Sequence, residues 1–163
     1  MTVVRWLVRI VVVIALLVAA LFVGARYHDG PLGLVPGGPL TAGEIVVAPV
    51  VDWSFATDTD TIELQLDGES TSRTTWILVA DGRAYIPASL SFPPGKDWYH
   101  RAQKDGRSVI RIEGRRYPVE LRRVDDEATK QAVIEAVLEK YEPPPSAGDE
   151  NAVMFFEVTS RPR

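Results

Sequence analysis

The sequence predicts a mainly β domain, six or seven antiparallel strands closed into a small barrel with two helices, carried behind one N-terminal transmembrane helix. Three observations lead there. An uninterrupted apolar run, Ile10 to Ala25, lies near the N-terminus. Short β-rich segments with turn residues at each bend fill most of the chain from Thr61 onward. Only two later stretches, one after Asp97 and one after Asp125-Asp126, carry helix signals. Antiparallel strands in that number leave the fewest open edges when they close on themselves.

The apolar run of 16 residues is flanked by Arg5, Trp6 and Arg9 on one side and by Arg26, Tyr27 and His28 on the other. As a helix it measures about 24 Å, short of the ~30 Å hydrocarbon thickness, and the flanking arginines and aromatics make up the difference by snorkelling and interfacial anchoring. It exceeds the ~7 to 15 residue core of a secretory signal, which favours an uncleaved anchor over residues 1–28. The small residues Val23-Gly24-Ala25 keep a cleaved signal peptide open as the alternative. Arg5, Arg9 and the amino terminus outweigh Arg26, so the N-terminus stays in the cytoplasm and the domain faces the outer, periplasmic side of the cytoplasmic membrane.

Residues 29–43 hold a run with four glycines and three prolines between Asp29 and Leu40, without period, and read as an extended stalk. The domain, 44–163, opens on a strand-like run from Glu44 to Val51 interrupted at Pro49, then an aromatic cap from Trp53 to Phe55. Thr61 to Asp67 alternates, with Ile62, Leu64 and Leu66 on one face, as a half-buried strand does. A hairpin follows: Arg73 to Ala80, a two-residue type I′ turn at Asp81-Gly82, and a return through Arg83 to Ala88. After the loop containing Pro93-Pro94-Gly95, Asp97 caps a short helix through Gln103, stopped by Asp105-Gly106. The second hairpin pairs Ser108–Glu113 with Arg116–Val124 around Gly114; Pro118, lacking an amide proton, marks its second arm as an edge strand or a bulge. The helix from Glu127 to Tyr141 presents Ile134, Leu138 and Tyr141 to the sheet, with Ala132, Val133, Ala136 and Val137 widening the apolar face, and ends at Pro143-Pro144-Pro145. Beyond a polar loop to Asn151, Val153 to Val158 forms the last strand.

Residues 29–163 carry all 22 acidic residues and 15 of the 18 basic ones, a formal charge of −7. That balance argues against a nucleic-acid partner and against a polybasic grip on anionic lipid. With no cysteine, a disulfide framework and a thiolate metal site are excluded. His28 and His100 are the only histidines and have no acidic partner at ligand spacing, so no metal site is expected. Asp58, Asp60 and Asp125-Asp126-Glu127 fit turns and a helix start better than a calcium loop.

The order of Arg73-Thr74-Thr75, Asp81-Gly82, Ala88-Ser89, Asp97-Trp98-Tyr99-His100 and Gly114-Arg115 resembles the split β-barrel of the pyridoxamine-phosphate-oxidase-like flavin-binding superfamily, nearest its deazaflavin-dependent nitroreductase branch. The resemblance covers Thr61 to Val158. It implies a homodimer holding FMN or the deazaflavin F420, with Arg73, Thr74, Thr75, Ser89, Trp98 and His100 around the cofactor. Lys96 is also placed to reach an anion, though without a matched position in that family. It implies an oxidoreductase acting, at the membrane, on a small or lipophilic acceptor such as a quinone or nitro-compound. Where the deazaflavin branch shows a Gly-Ser-Lys type segment, this chain has Asp67 to Ser72, with the acid Glu69.

Each of these positions also has a plainer reading. Arg73-Thr74-Thr75 suit a polar strand, and Trp98 and Tyr99 suit core anchors of a helix. Accordingly the alternative function is a membrane-tethered split barrel without a redox cofactor, serving ligand binding or assembly.

Overall fold

The computed structural model describes residues 2–90, 95–140 and 153–161. Pro93, Pro94, Tyr141, Pro143-Pro144-Pro145 and the polar loop to Asn151, all named above, lie outside the described residues. Helix α1 spans Thr2–Tyr27 and is long and apolar enough to cross a membrane. The strands are β1 Thr61–Leu66, β2 Arg73–Trp76, β3 Leu78–Ala80, β4 Arg83–Ser89, β5 Arg107–Ile112, β6 Arg115–Arg123 and β7 Val153–Ser160. Helix α2, Trp98–Lys104, precedes β5, and α3, Glu127–Lys140, follows β6. All pairings are antiparallel, in the order β2-β1-β5-β6-β7-β4-β3. The result is a nearly closed seven-stranded barrel.

Closure rests on one break. The sequence reads Arg73 to Ala80 as a single hairpin arm, but the chain turns at fully buried Ile77. Arg73 to Trp76 therefore pair with β1, and only Leu78 to Ala80 pair with β4. One stretch of chain supplies both edges of the sheet, and alternation alone does not reveal such a change of partner. The first hairpin turn takes the predicted form: Asp81 and Gly82 (φ 50° and 71°) have the paired positive φ of a type I′ turn, and Glu113 and Gly114 (49° and 78°) make the same turn in the second hairpin, near Gly114 as expected.

The alternating apolar residues fill the barrel. Ile62, Leu64, Leu66, Ile86, Ile110, Val119 and Phe156 are buried inside, with Trp98, Tyr99 and Ala102 of α2 and the buried Trp53 in the same core. Trp53 is in ring contact with Phe55 and Tyr117, as the expected aromatic cap. The outer face of β3, β4 and β7 is covered by α3, through Val133, Leu78, Tyr85 and Phe155. On α3 the buried residue is Val133, with Ile134 and Val137 half-buried beside it, whereas Leu138 is 59% exposed. The packed face is therefore centred on Val133, at one side of the expected face, and Leu138 turns to solvent. Asp126 caps this helix by accepting from the Thr129 N–H at 2.8 Å.

Two further expectations are corrected. Pro118 lies in a central strand, between β5 and β7. Its carbonyl accepts from the Arg161 N–H (3.0 Å) just past the last β6–β7 register pair, Val119 with Ser160, so its missing amide proton costs only the terminal rung. Next along β6, Arg116 takes its backbone partners from Glu44 and Val46 (2.8 and 2.9 Å). That exchange, a single parallel bridge at Ile45, is all that forms of the strand expected over Glu44 to Val51.

Nor is residues 29–43 a free stalk. Asp29 accepts from the Thr41 N–H (2.7 Å) and pairs with Arg111 (2.8 Å), which also pairs with Glu63. Leu40 is buried, its N–H donating to Gln65 Oε1 at 2.8 Å, and Arg116 donates to the carbonyls of Leu40 and Gly43. The segment lies on the outer face of the sheet because it brings small residues and unpaired carbonyls to two arginines. At Gly37 a side chain would run into the Gly30 carbonyl, so close packing here requires glycine.

Candidate functional site

The seven residues singled out from the sequence fall into three places. Arg73 and Thr75 pair with Leu64 and Ile62, and cross-strand partners share a face, so both point toward the barrel interior. Thr74, between them, points outward and donates its hydroxyl to the Gly33 carbonyl at 2.7 Å. Ser89 pairs with Val153 at the end of β4 and by alternation shares the outer face with Tyr85, on the side α3 covers. A single ligand on one subunit cannot meet all three hydroxyls.

What the structure does bring together is Arg73 and the start of α2. The Arg73 guanidinium lies over the Trp98 ring, 5.8 Å from its centroid, a cation–π arrangement. Trp98 itself is 5% exposed and packs on Phe156 at 5.6 Å, so it anchors the helix in the core while offering one face to Arg73. Lys96 is half-buried, two residues before Trp98, and burial lowers its pKa. His100, on the outer side of α2, is exposed and lies against Tyr99 (4.3 Å between centroids). Asp97 starts the helix, but not by the expected side-chain cap. Its carboxylate is drawn to Arg101 at 2.6 Å instead.

Glu69 is the residue that organises this corner. Its two oxygens accept from Arg73 Nη2 and Arg101 Nε, each at 2.5 Å, and its side chain is 17% exposed. The backbone carbonyl of Glu69 accepts from Gln65 Nε2 (2.7 Å). Desolvation lowers the pKa of Arg73, opposed by the Glu69 charge. One donor is left over: Arg73 Nε is buried and finds no acceptor among the described residues. A buried guanidinium N–H without an acceptor is a costly group, and an anion entering at this corner would satisfy it. The i,i+4 spacings Glu69–Arg73 and Asp97–Arg101 were visible in the sequence; the Glu69–Arg101 pair, 32 residues apart, was not.

Two concavities stand out among the described residues, and neither is lined by any of the seven. One, of about 210 Å³, lies between α3 and β7, with Val124, Ile134 and Phe155 on its wall and Arg123 and Lys130 at its rim. The other, of about 370 Å³, is an open hollow at the β5–β6 turn with Phe55 and Tyr117 stacked on its floor.

Among solved structures, the chain is similar to a Listeria innocua protein assigned to the pyridoxamine 5′-phosphate oxidases, at 12% identity and TM-score 0.50, over 66% of this chain and 89% of that one. It is also similar to an FAD-binding protein from Mesorhizobium loti (15% identity, TM-score 0.45, 66% and 86% covered). A third similarity is to a NimC/NimA family protein from Clostridium acetobutylicum (15%, 0.40, 61% and 72%). With its strand order, the first of these shows that the fold is the split β-barrel. No curated protein matches the sequence. Residues 55–154, more than half of the chain, match the family model described as an uncharacterized protein conserved in bacteria, DUF2255.

Proposed function

Since the chain belongs to the DUF2255 family of uncharacterized bacterial proteins and has the split-barrel fold, we propose that it is a membrane-anchored oxidoreductase using FMN or F420 on a small or lipophilic acceptor. The observation that carries this reading is Arg73, a guanidinium held over an aromatic ring with a buried donor unmet among the described residues. The residues at this corner fit the anionic arm of such a cofactor. Arg73 offers a planar fork for phosphate, Thr75 a hydroxyl on the same face, and Lys96 a second cation nearby. Glu69 keeps Arg101 when Arg73 turns to an anion, so its charge does not stand alone. Thr74 and Ser89, on other faces, and exposed His100 serve this cofactor only across a homodimer. Bound there, the cofactor supplies hydride transfer, and the protein supplies placement and electrostatics.

Anchoring by α1, with the barrel on the periplasmic side, would hold the enzyme where apolar acceptors partition. Ala25 supports retention of the helix: fully buried in the folded chain, it would be lost from a product beginning at Arg26.

The test is to purify the full chain in detergent from a host that makes both cofactors, then record the visible spectrum and the mass of released ligand. Stoichiometric FMN or F420 is expected. Arg73→Ala should lose it while keeping the thermal midpoint near that of the parent; a folded variant with unchanged cofactor content would remove the role assigned to Arg73. A second reading, the cofactor-free tethered barrel, is favoured by Glu69 already occupying Arg73. A colourless, folded protein that takes up neither cofactor when offered would select it.

A further inference from the structure

The chain leaving α1 makes a closed excursion before it reaches the barrel. Gly38 N–H returns to the His28 carbonyl at 2.9 Å, and at the tip Leu32 and Val35 exchange both backbone hydrogen bonds at 3.0 Å. Leu34, on that tip, is 90% exposed. The tip is not loose, because Thr74 Oγ1 holds the Gly33 carbonyl. Trp76, two residues on along β2 and on the same face as Thr74, is 55% exposed. Residues 30–40 carry no charge, in a domain whose formal charge is −7. An ordered, uncharged loop that presents a leucine to water gains nothing from water.

We propose that this tip is a second membrane contact, with Leu34 seated at the headgroup–acyl boundary of the bilayer that α1 crosses. The proposal rests on the anchored reading of α1. Leu34 stands four residues before Gly38, which is bonded back to the His28 carbonyl, so the tip reaches no more than about 14 Å from that closure at the helix end. The polar zone outside the hydrocarbon is roughly 5 to 8 Å deep on each side, within that reach. The contact is apolar, since residues 30–40 carry no Lys or Arg for anionic headgroups. A helix alone is one tether about which a domain swivels; helix and tip together fix which side of the barrel faces the membrane.

The chain has no cysteine, so single cysteines report cleanly. Leu34→Cys, Phe22→Cys in α1 and Val51→Cys, at a site 94% exposed, would each be labelled with a polarity-sensitive fluorophore in the full chain, in nanodiscs of phosphatidylcholine carrying nitroxide-labelled acyl chains. The expected result is blue-shifted emission and lipid quenching at positions 22 and 34, at least threefold stronger than at 51. Quenching at 22 with position 34 matching 51 would overturn the second contact while leaving the anchor in place. Absence of lipid quenching at 22 as well would overturn both.

Discussion

Arg111 takes Glu63 and Asp29 at once and donates as well to the carbonyls of Asp29 and Ala42, so one side chain joins β5, β1 and the segment that follows α1. Burial alone would raise the pKa of Asp29, but the Thr41 and Ala42 amides and Arg111 outweigh it, and the carboxyl sits well below the usual carboxylate range. A depressed folded pKa contributes stability that is present above the unfolded value near 4 and drains away as pH falls toward the folded one. Asp29→Asn should therefore be less stable than the parent at pH 7, by about 1 to 2 kcal/mol given its partial exposure, and the gap should begin to narrow below about pH 4 and go on narrowing toward pH 2. Denaturant midpoints across pH 2 to 7 would check it, and a gap constant with pH would show that the charge of Asp29 does not matter. None of this was readable beforehand, because Asp29 and Arg111 are 82 residues apart. Arg73 was readable as a candidate by its order among the motifs; the pinning of Arg73 by Glu69 needed the fold.

Alternation identified β1 correctly because its burial repeats with period two, and the two Gly-containing turns identified both hairpin bends. It misplaced the first arm of the first hairpin because a strand that changes partner at Ile77 keeps the same residue preferences throughout. On α3, apolar residues surround much of the helix, so spacing alone did not choose between a face through Val133 and Val137 and one through Ile134 and Leu138. The structure chooses the first, with testable consequences. Val133→Ala should cost about 2 kcal/mol through two lost methyl groups and the cavity they leave, whereas Leu138→Ala should change stability by no more than about 0.5 kcal/mol. Equal losses in urea titrations would mean that the helix packs by its other face.

The whole molecule differs most from its sequence reading between the helix and the barrel. Glycine and proline in such density suggest a stalk when no partner is in view; here they let the backbone lie flat against the sheet. A chain beginning at residue 29 should therefore be more stable than one beginning at 44, which loses buried Leu40 and leaves Arg111 and Arg116 short of acceptors, by about 3 to 5 kcal/mol or roughly 10 °C in thermal midpoint. Matching midpoints would restore the boundary at 44 that composition suggests. The barrel and most of the segments that build it were legible because hydrophobic alternation and turn chemistry are local, and the break at Ile77 and the order of the strands were not, because partners are chosen at a distance. Pro118 acts on that choice. Sitting where the rungs to β7 run out, it makes the correct alignment cheap, while sliding β7 two residues farther along β6 would bring its nitrogen opposite a carbonyl it cannot satisfy. One residue without a proton thus works as a stop for a misaligned strand, a proofreading mark written into the end of the β6–β7 ladder.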